Sequence, residues 1–343
     1  MDVTDADGVR RVTFDRPATS NAMDGAVARE LAEAVEAVAP DSHDAVLLTG
    51  EGEAFSAGGD IEAMAEREER PEAARERLAS TFGRAFEAIY TSRVPVVARV
   101  DGDAAGAGLS VVAVSDFAYA VESARFVAAF VRVGLVPDTG GSFLLPRLVG
   151  WRTAKRLAIT GEAVSAREAA ETGLINAAVP EDDLDDRVDD LLTTLRERPT
   201  ETVGQIKRAI HENLGREWAP ALDYEQHVQA LAYGGAAHEE GVAAFLDDRP
   251  RGRRRSGARC LRPPARPRRL RPPVGPRRRT PAGEAAPSNA APATTGRRPS
   301  DRERPAHSPS SRSAFSQRSF RWTSSGKPRS ANPSSHASGS IIG

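Results

Sequence analysis

Three stretches of this 343-residue chain hold residues whose types and spacing could do chemistry. In Ala54-Phe-Ser-Ala-Gly-Gly-Asp-Ile61 and in Asp101-Gly-Asp-Ala-Ala-Gly-Ala-Gly108 most side chains are small or missing, so backbone N–H groups can approach a bound oxygen closely. Where such a turn opens a helix, the unpaired N–H groups and the helix dipole both favour negative charge. Two turns of this kind supply two converging donors. That arrangement suits a carbonyl oxygen that gains charge during reaction, each donor being worth roughly 10²–10³ in rate. Taken singly, either stretch is as well explained by glycines packing a turn. The third stretch, Pro137-Asp-Thr-Gly140, holds one acid, Asp138, in residues that also make an ordinary turn.

The elements that must position these stretches read as α/β. Val94–Val100 is a β-branched run ending at the Asp101–Asp103 turn, and Ala104–Leu109 leads into a helix through Val114. Upstream, Ala45–Thr49 reads as a strand and Gly50–Gly52 as a turn. Val9–Asp15 is a strand. Asp24 caps a helix through Val38, with Val27, Leu31, Val35 and Val38 at helical spacing. Ile61–Tyr90 is helical but charge-rich and broken at Pro71. Further helices are expected over Trp151–Thr160, from a Ser165 cap to Thr172, and over Asp182–Arg198, Thr200–Leu214, Glu217–Tyr233 and Glu240–Asp248. A short strand follows Gly173-Leu-Ile-Asn176.

Other chemistries fail on inspection. Gly106-Ala-Gly108 does not extend to G-x-G-x-x-G, because Val111 stands at the next required position, and no G-x-x-x-x-G-K-[ST] occurs. Gly108-Leu-Ser110-Val-Val112 lacks the last glycine of a nucleophile elbow. His43, His211, His227 and His238 have no metal-ligand spacing and read as surface or capping residues.

Together the motifs resemble the enoyl-CoA hydratase/isomerase (crotonase) superfamily from about Val12 to Arg249. The resemblance rests on Phe14-Asp-Arg-Pro17 with Asn21-Ala-Met23, the two Gly-rich stretches, Gly134-Leu-Val-Pro-Asp-Thr-Gly-Gly141, Thr160-Gly161 and Ala170-Glu-Thr-Gly-Leu174. It implies a crotonase-like spiral of ββα turns with a helical C-terminal region. It also implies an acyl-CoA thioester as substrate, with CoA part of the substrate and no separate cofactor. By position in the family motifs, the oxyanion donors are the backbone amides of Gly59 and Ala107, and Ala57, Asp60 and Ile61 lie beside the CoA portion. The helical end, about residues 200–250, is implied to pack on neighbouring subunits of a homotrimer or a dimer of trimers. The variable segment after the first motif places Met64, Leu78, Phe82 and Phe86 either along the substrate or in ordinary helix packing.

The departures from the hydratase pattern decide the expected reaction. Hydratases of the superfamily hold a water between two glutamates, at positions that are Ser110 and Phe130 here, and neither residue can activate a water as a carboxylate does. The stretch Ala124–Gly141 instead resembles isomerases of phenylacetate-derived and unsaturated acyl-CoAs, whose base would be Asp138. One carboxylate suits moving a double bond from the β,γ to the α,β position. The expected function is therefore an acyl-CoA isomerase. The alternatives are an enoyl-CoA hydratase of fatty-acid β-oxidation, or a non-catalytic CoA- or RNA-binding relative of the same fold.

Composition divides near Pro250. Residues 251–343 carry 21 Arg and 1 Lys against 3 acids, whereas residues 1–250 hold 25 basic and 45 acidic residues, so the overall net charge of −1 hides two opposite halves. The acyl-CoA domain is assigned to 1–250. The Arg/Pro/Ser-rich 251–343 reads as a disordered basic tail, more simply a frameshift product than a nucleic-acid-binding segment. The acidic start does not read as a signal peptide, and no run approaches the roughly 18–20 apolar residues of a membrane span. The one cysteine, Cys260, falls in the tail. A cytoplasmic, metal-independent protein with no membrane association is expected, and the excess acid suggests a high-salt cytoplasm.

Overall fold

The computed structural model describes residues 1–249; the expectation for the basic tail lies outside the described residues. The chain opens with a hairpin in which β1 (Asp2–Ala6) returns as β2 (Val9–Phe14) through Asp7-Gly8, both at positive φ. Helix α1 (Gly25–Glu36) follows, its first N–H groups capped by the Asp24 carboxylate, which accepts from Ala26 N and Val27 N. It buries Ala28, Leu31 and Val35 and stops short of Val38. Strand β3 (Ala45–Gly50) is buried at every position, as a strand covered on both faces should be.

From there the chain repeats a strand, a short strand and a helical segment. The first unit is β3, β4 (Ala54–Ser56) and the run α2 (Ile61–Ala65), α3 (Pro71–Leu78) and α4 (Arg84–Thr91). Pro71 begins α3 at the position where its missing N–H costs nothing, which explains the break. The second unit is β5 (Val96–Val100), β6 (Asp103–Ala105) and α5 (Ala107–Val114), a helix buried along its whole length. The third is β7 (Phe117–Val121), β8 (Arg125–Val127), a 3₁₀ segment Ala129–Val133, α6 (Gly141–Leu148) and α7 (Gly150–Thr160). Then come β9 (Ala163–Ser165), α8 (Ala166–Thr172), β10 (Ala177–Val179) and α9 (Leu184–Arg196). The described chain ends in α10 (Thr200–Asn213), α11 (Trp218–Tyr233) and α12 (Ala236–Leu246), the last beginning four residues before the expected Glu240.

Six strands form one sheet in the order β1-β2-β3-β5-β7-β10, parallel except for the β1 hairpin, and four three-residue strands form a second in the order β4-β6-β8-β9. This is the expected spiral of ββα turns. Helix α10 is pinned to the body by Lys207, which is buried, pairs with Asp116 at 2.7 Å and donates to the Ile89 carbonyl at 2.9 Å. Burial lowers the Lys207 pKa, with Asp116 pulling it back. His211, one turn on, stacks on Tyr90 at 4.1 Å. No helix among the described residues is long and apolar enough to cross a membrane.

Candidate active site

The second sheet sets the two Gly-rich stretches side by side and starts the segment that leads to Asp138. Strands β4, β6 and β8 pair in parallel, Ser56 beside Ala104 and Ala104 beside Phe126, so the segments leaving their C-terminal ends emerge side by side. Those segments are Ala57–Asp60, Gly106–Ala107 and the approach to Asp138.

The first turn is built on a buried polar network. Ser20 and Asn21 both adopt the left-handed conformation, with φ of 51° and 58°. Asn21 Oδ1 accepts from Arg16 N at 2.8 Å, while its Nδ2 donates to the carbonyls of Glu51 and Ala54 at 2.9 and 2.7 Å. Ser56 Oγ donates to the Asn21 carbonyl and accepts from Gly58 N. Met23 N donates to the Gly58 carbonyl at 2.7 Å, and Asp60 N donates to the Met23 carbonyl at 2.9 Å. The groups on either side of Gly59 are thereby consumed and the Gly59 N–H stays outside the pairing.

In the second turn Gly106 N donates to the Val127 carbonyl at 2.9 Å, and Ala107 begins α5, so its N–H has no intrahelical acceptor. The turns touch through backbone. Gly58 has φ +93°, and a Cβ there would stand 2.5 Å from the Ala105 carbonyl oxygen and 2.9 Å from Ala107 N. A Cβ on Gly108 would collide with the Ser56 carbonyl. Only glycine allows this approach.

The acid lies on the segment that leaves β8. After the Phe130 segment, Arg132 Nε holds the Gly161 carbonyl at 2.9 Å, and the chain turns at Pro137-Asp138, where Gly141 N donates to the Asp138 carbonyl at 2.8 Å. Gly141 lies against α5, since a Cβ on it would be 3.3 Å from Ser110 Oγ. Ser110 and Phe130 are both buried. Asp138 is open to solvent on one side, yet desolvation by the surrounding protein raises its carboxyl pKa above the usual value, against its own backbone amide and the Thr139 hydroxyl, which lower it.

The other carboxylates of the motifs have arginine partners: Asp60 with Arg16 at 3.2 Å, Asp101 with Arg99 at 2.5 Å and Asp103 with Arg125 at 2.5 Å. The Asp138 carboxylate has its own backbone amide and the Thr139 Oγ1 donor at 3.4 Å beside it instead.

Of the residues assigned to the CoA side, Ala57 is half-buried with its N–H on the Ser20 carbonyl, and Ile61 is exposed at the start of α2. The Asp60 carboxylate caps α2 by accepting from Ala63 N. Phe82 and Phe86 belong to the core, and Leu78 packs against it. Met64 alone of that group reaches the first Gly-rich turn, its methyl 2.4 Å from where a Cβ on Gly59 would stand. Sequence reasoning missed the Arg16 and Asn21 network, for which Arg16-Pro17 and Asn21 were signals without an assigned role. Among the described residues no group of three potential metal ligands occurs.

Comparison with known proteins gives the family. The family model described as "Enoyl-CoA hydratase/isomerase" matches residues 4–252. The probable enoyl-CoA hydratase of Rhodobacter capsulatus is 36% identical over 246 residues, covering 71% of this chain and 94% of the relative. The 1,2-epoxyphenylacetyl-CoA isomerase of Escherichia coli K12 is 36% identical over 251 residues, covering 71% and 93%. Among solved structures, the enoyl-CoA hydratase of Mycobacterium smegmatis superposes with a TM-score of 0.69 at 32% identity, covering 73% of this chain and 97% of that one. With its spiral of ββα turns and paired Gly-rich turns, the chain belongs to the enoyl-CoA hydratase/isomerase family.

Proposed function

We propose that the protein is an acyl-CoA isomerase that converts 3-enoyl-CoA to 2-enoyl-CoA, or acts on a ring-epoxide phenylacetyl-CoA. The Gly59 and Ala107 amides hold the thioester oxygen. Asp138 removes a proton from C2, and the electron pair of that C–H bond moves onto the thioester, whose oxygen carries the dienolate charge between the two amides. The protonated Asp138 returns the proton to C4 as the remaining double bond shifts to C2–C3, so the product has the composition of the substrate. CoA enters as part of the substrate, along Ala57, Asp60 and Ile61.

The observation that carries this reading is the contrast among the carboxylates. An arginine partner lowers a carboxylate's basicity. Of the acids in the three stretches, Asp138 is the one with no arginine in ion-pair reach among the described residues; burial raises the pKa of Asp101 as well, but its carboxylate is tied to Arg99, whereas that of Asp138, also raised by desolvation, is left to act as a base. Hydration would need a second carboxylate, and the implied positions hold buried Ser110 and Phe130.

The test is a side-by-side assay of 3-enoyl-, 2-enoyl- and ring-epoxide phenylacetyl-CoA. Isomerisation should exceed hydration of 2-enoyl-CoA, and faster hydration would replace this reading with that of a hydratase, the activity named for the Rhodobacter relative. The same reading includes a trimer or dimer of trimers. Exposed Ile206, Ile210, Trp218, Tyr233, Phe245 and Leu246 on α10–α12 support an interface there. Light scattering should find the oligomer, tightening with salt as the excess acid is screened; a monomer at every salt concentration rejects it.

A further inference from the structure

Arg16 bonds to residues on both sides of the bridge between Met23 and Gly59. Its Nη1 donates to the Ala22 carbonyl at 2.9 Å and lies 3.6 Å from Asp24 Oδ2, and its Nη2 donates to Asp60 Oδ2 at 3.2 Å. Its own N–H holds Asn21 Oδ1 at 2.8 Å. Asp24 is the N-cap of α1 and Asp60 that of α2, so one guanidinium joins the first turns of two helices. Between them runs the bridge in which Met23 binds the Gly58 carbonyl through its N–H and Asp60 N through its carbonyl. The Gly59 peptide is therefore suspended between two residues that both hang on Met23, and Arg16 holds the carbonyl just before Met23. A rigid, permanently charged fork is suited to such a multi-point clamp, whereas an ammonium is a single point charge.

We infer that Arg16 is a positioning residue that aims the Gly59 N–H, a role resting on the proposal that Gly59 is an oxyanion donor. A donor acts through its direction toward the developing charge rather than through its presence. With the clamp gone, the two Met23 backbone bonds are left to tie residues 22–24 to the start of α2, and the Gly59 peptide between them is held less firmly in direction. The Arg16 side chain is 34% exposed, so replacing it leaves the hydrophobic core in place.

The experiment uses the full-length protein and a saturated acyl-CoA carrying ¹³C at its thioester carbonyl, which binds but cannot isomerise. Infrared difference spectra give the lowering of the carbonyl stretch on binding, a direct readout of hydrogen bonding to that oxygen. In Arg16→Ala at least half of that lowering should be lost, and kcat for 3-enoyl-CoA should fall by about 10–100-fold, the scale of a misplaced reacting group. The Kd for the saturated acyl-CoA should stay within about threefold. Arg16→Lys should recover part of the shift. Asp60→Asn keeps the helix cap and removes the charge partner, so it should move the spectrum the same way by less, and these two variants carry the comparison if Arg16→Ala does not fold.

A wild-type shift in Arg16→Ala overturns the inference. So does weakened binding with the shift intact, which would make Arg16 a contact to the anionic end of the substrate. No lowering in the wild-type protein would instead refute the donor reading itself, a result distinct from either of these.

Discussion

The two Gly-rich turns proposed to carry the donors and the loop proposed to carry the base are held in opposite ways. The turns at 56–60 and 106–108 are fixed by backbone: carbonyls and amides are consumed on both sides of the donors, buried Asn21 and Ser56 tie the approach, and no side chain fits between. The loop carrying Asp138 is fixed at its ends, by Arg132 on Gly161 and by Gly141 on α5, while Val133, Leu135 and Val136 between them stand exposed. The difference teaches where each function resides. An amide donor has no side chain to adjust, so its aim must be built into the fold. An acid can be placed by a looser segment, provided nothing nearby neutralises it.

Removing the acid should produce the largest effect. Asp138→Asn keeps size and hydrogen bonding and removes the base. Isomerisation of 3-enoyl-CoA should therefore fall by about 10²–10⁴, with Kd for a saturated acyl-CoA unchanged. Activity near wild type would mean that the base lies elsewhere and that the comparison has been drawn between the wrong regions.

The same glycine-to-alanine change made once in each region sharpens the contrast. Gly58→Ala adds a Cβ 2.5 Å from a backbone oxygen at φ +93°, so both strain and collision apply. It should cost about 3 kcal/mol or more in urea unfolding, along with most of the activity. Gly134→Ala, at φ +72° with nothing within 4 Å, meets only the backbone penalty of about 1–2 kcal/mol. Equal losses would show that the acid loop is as tightly determined as the donor turns.

What was legible in the sequence follows the same division. The Gly-rich stretches were readable because glycine is required by backbone approach, and Asp24 and Ser165 because a cap is a local bond to the next turn. The second sheet was not. Its strands β4, β6, β8 and β9 are three residues each, such as Ala54-Phe-Ser56, too short to show alternation, and they exist by pairing with strands tens of residues away. Strand β1, Asp-Val-Thr-Asp-Ala, is exposed throughout and so has no apolar face to read, although Asp7-Gly8 was a hairpin signal. The Arg16–Asp60 clamp spans 44 residues, and nothing local in either residue announces its partner. Met64 against Gly59 likewise follows from the placement of α2 rather than from spacing.

Ser110 lies between the two regions, buried on α5 and facing Gly141. Ser110→Ala removes one hydroxyl and keeps the helix, so stability should change by less than about 1.5 kcal/mol and kcat by only a few-fold. A loss approaching that of Asp138→Asn would make the hydroxyl part of the proton path.

The smallest expected effect is on stability against pH, and its sign is specific. Desolvation raises the Asp138 pKa in the folded protein above its value in the unfolded chain. Between those two values the folded state binds more protons than the unfolded state, so this group's contribution falls as pH rises through the window and is constant outside it. Asp138→Asn removes that penalty. The variant should therefore melt slightly above wild type at neutral pH and alongside it below the ordinary aspartate value, where both carboxyls are protonated. Because one side of Asp138 is open to solvent, screening keeps the gain under about 1 kcal/mol. Activity must run the other way, since the base works only when ionised: the acid limb of kcat should fall above the ordinary aspartate pKa. A variant less stable than wild type at neutral pH, or an acid limb at or below the ordinary value, would show that Asp138 is held as a structural carboxylate, and the looser region would then be no different from the rigid one.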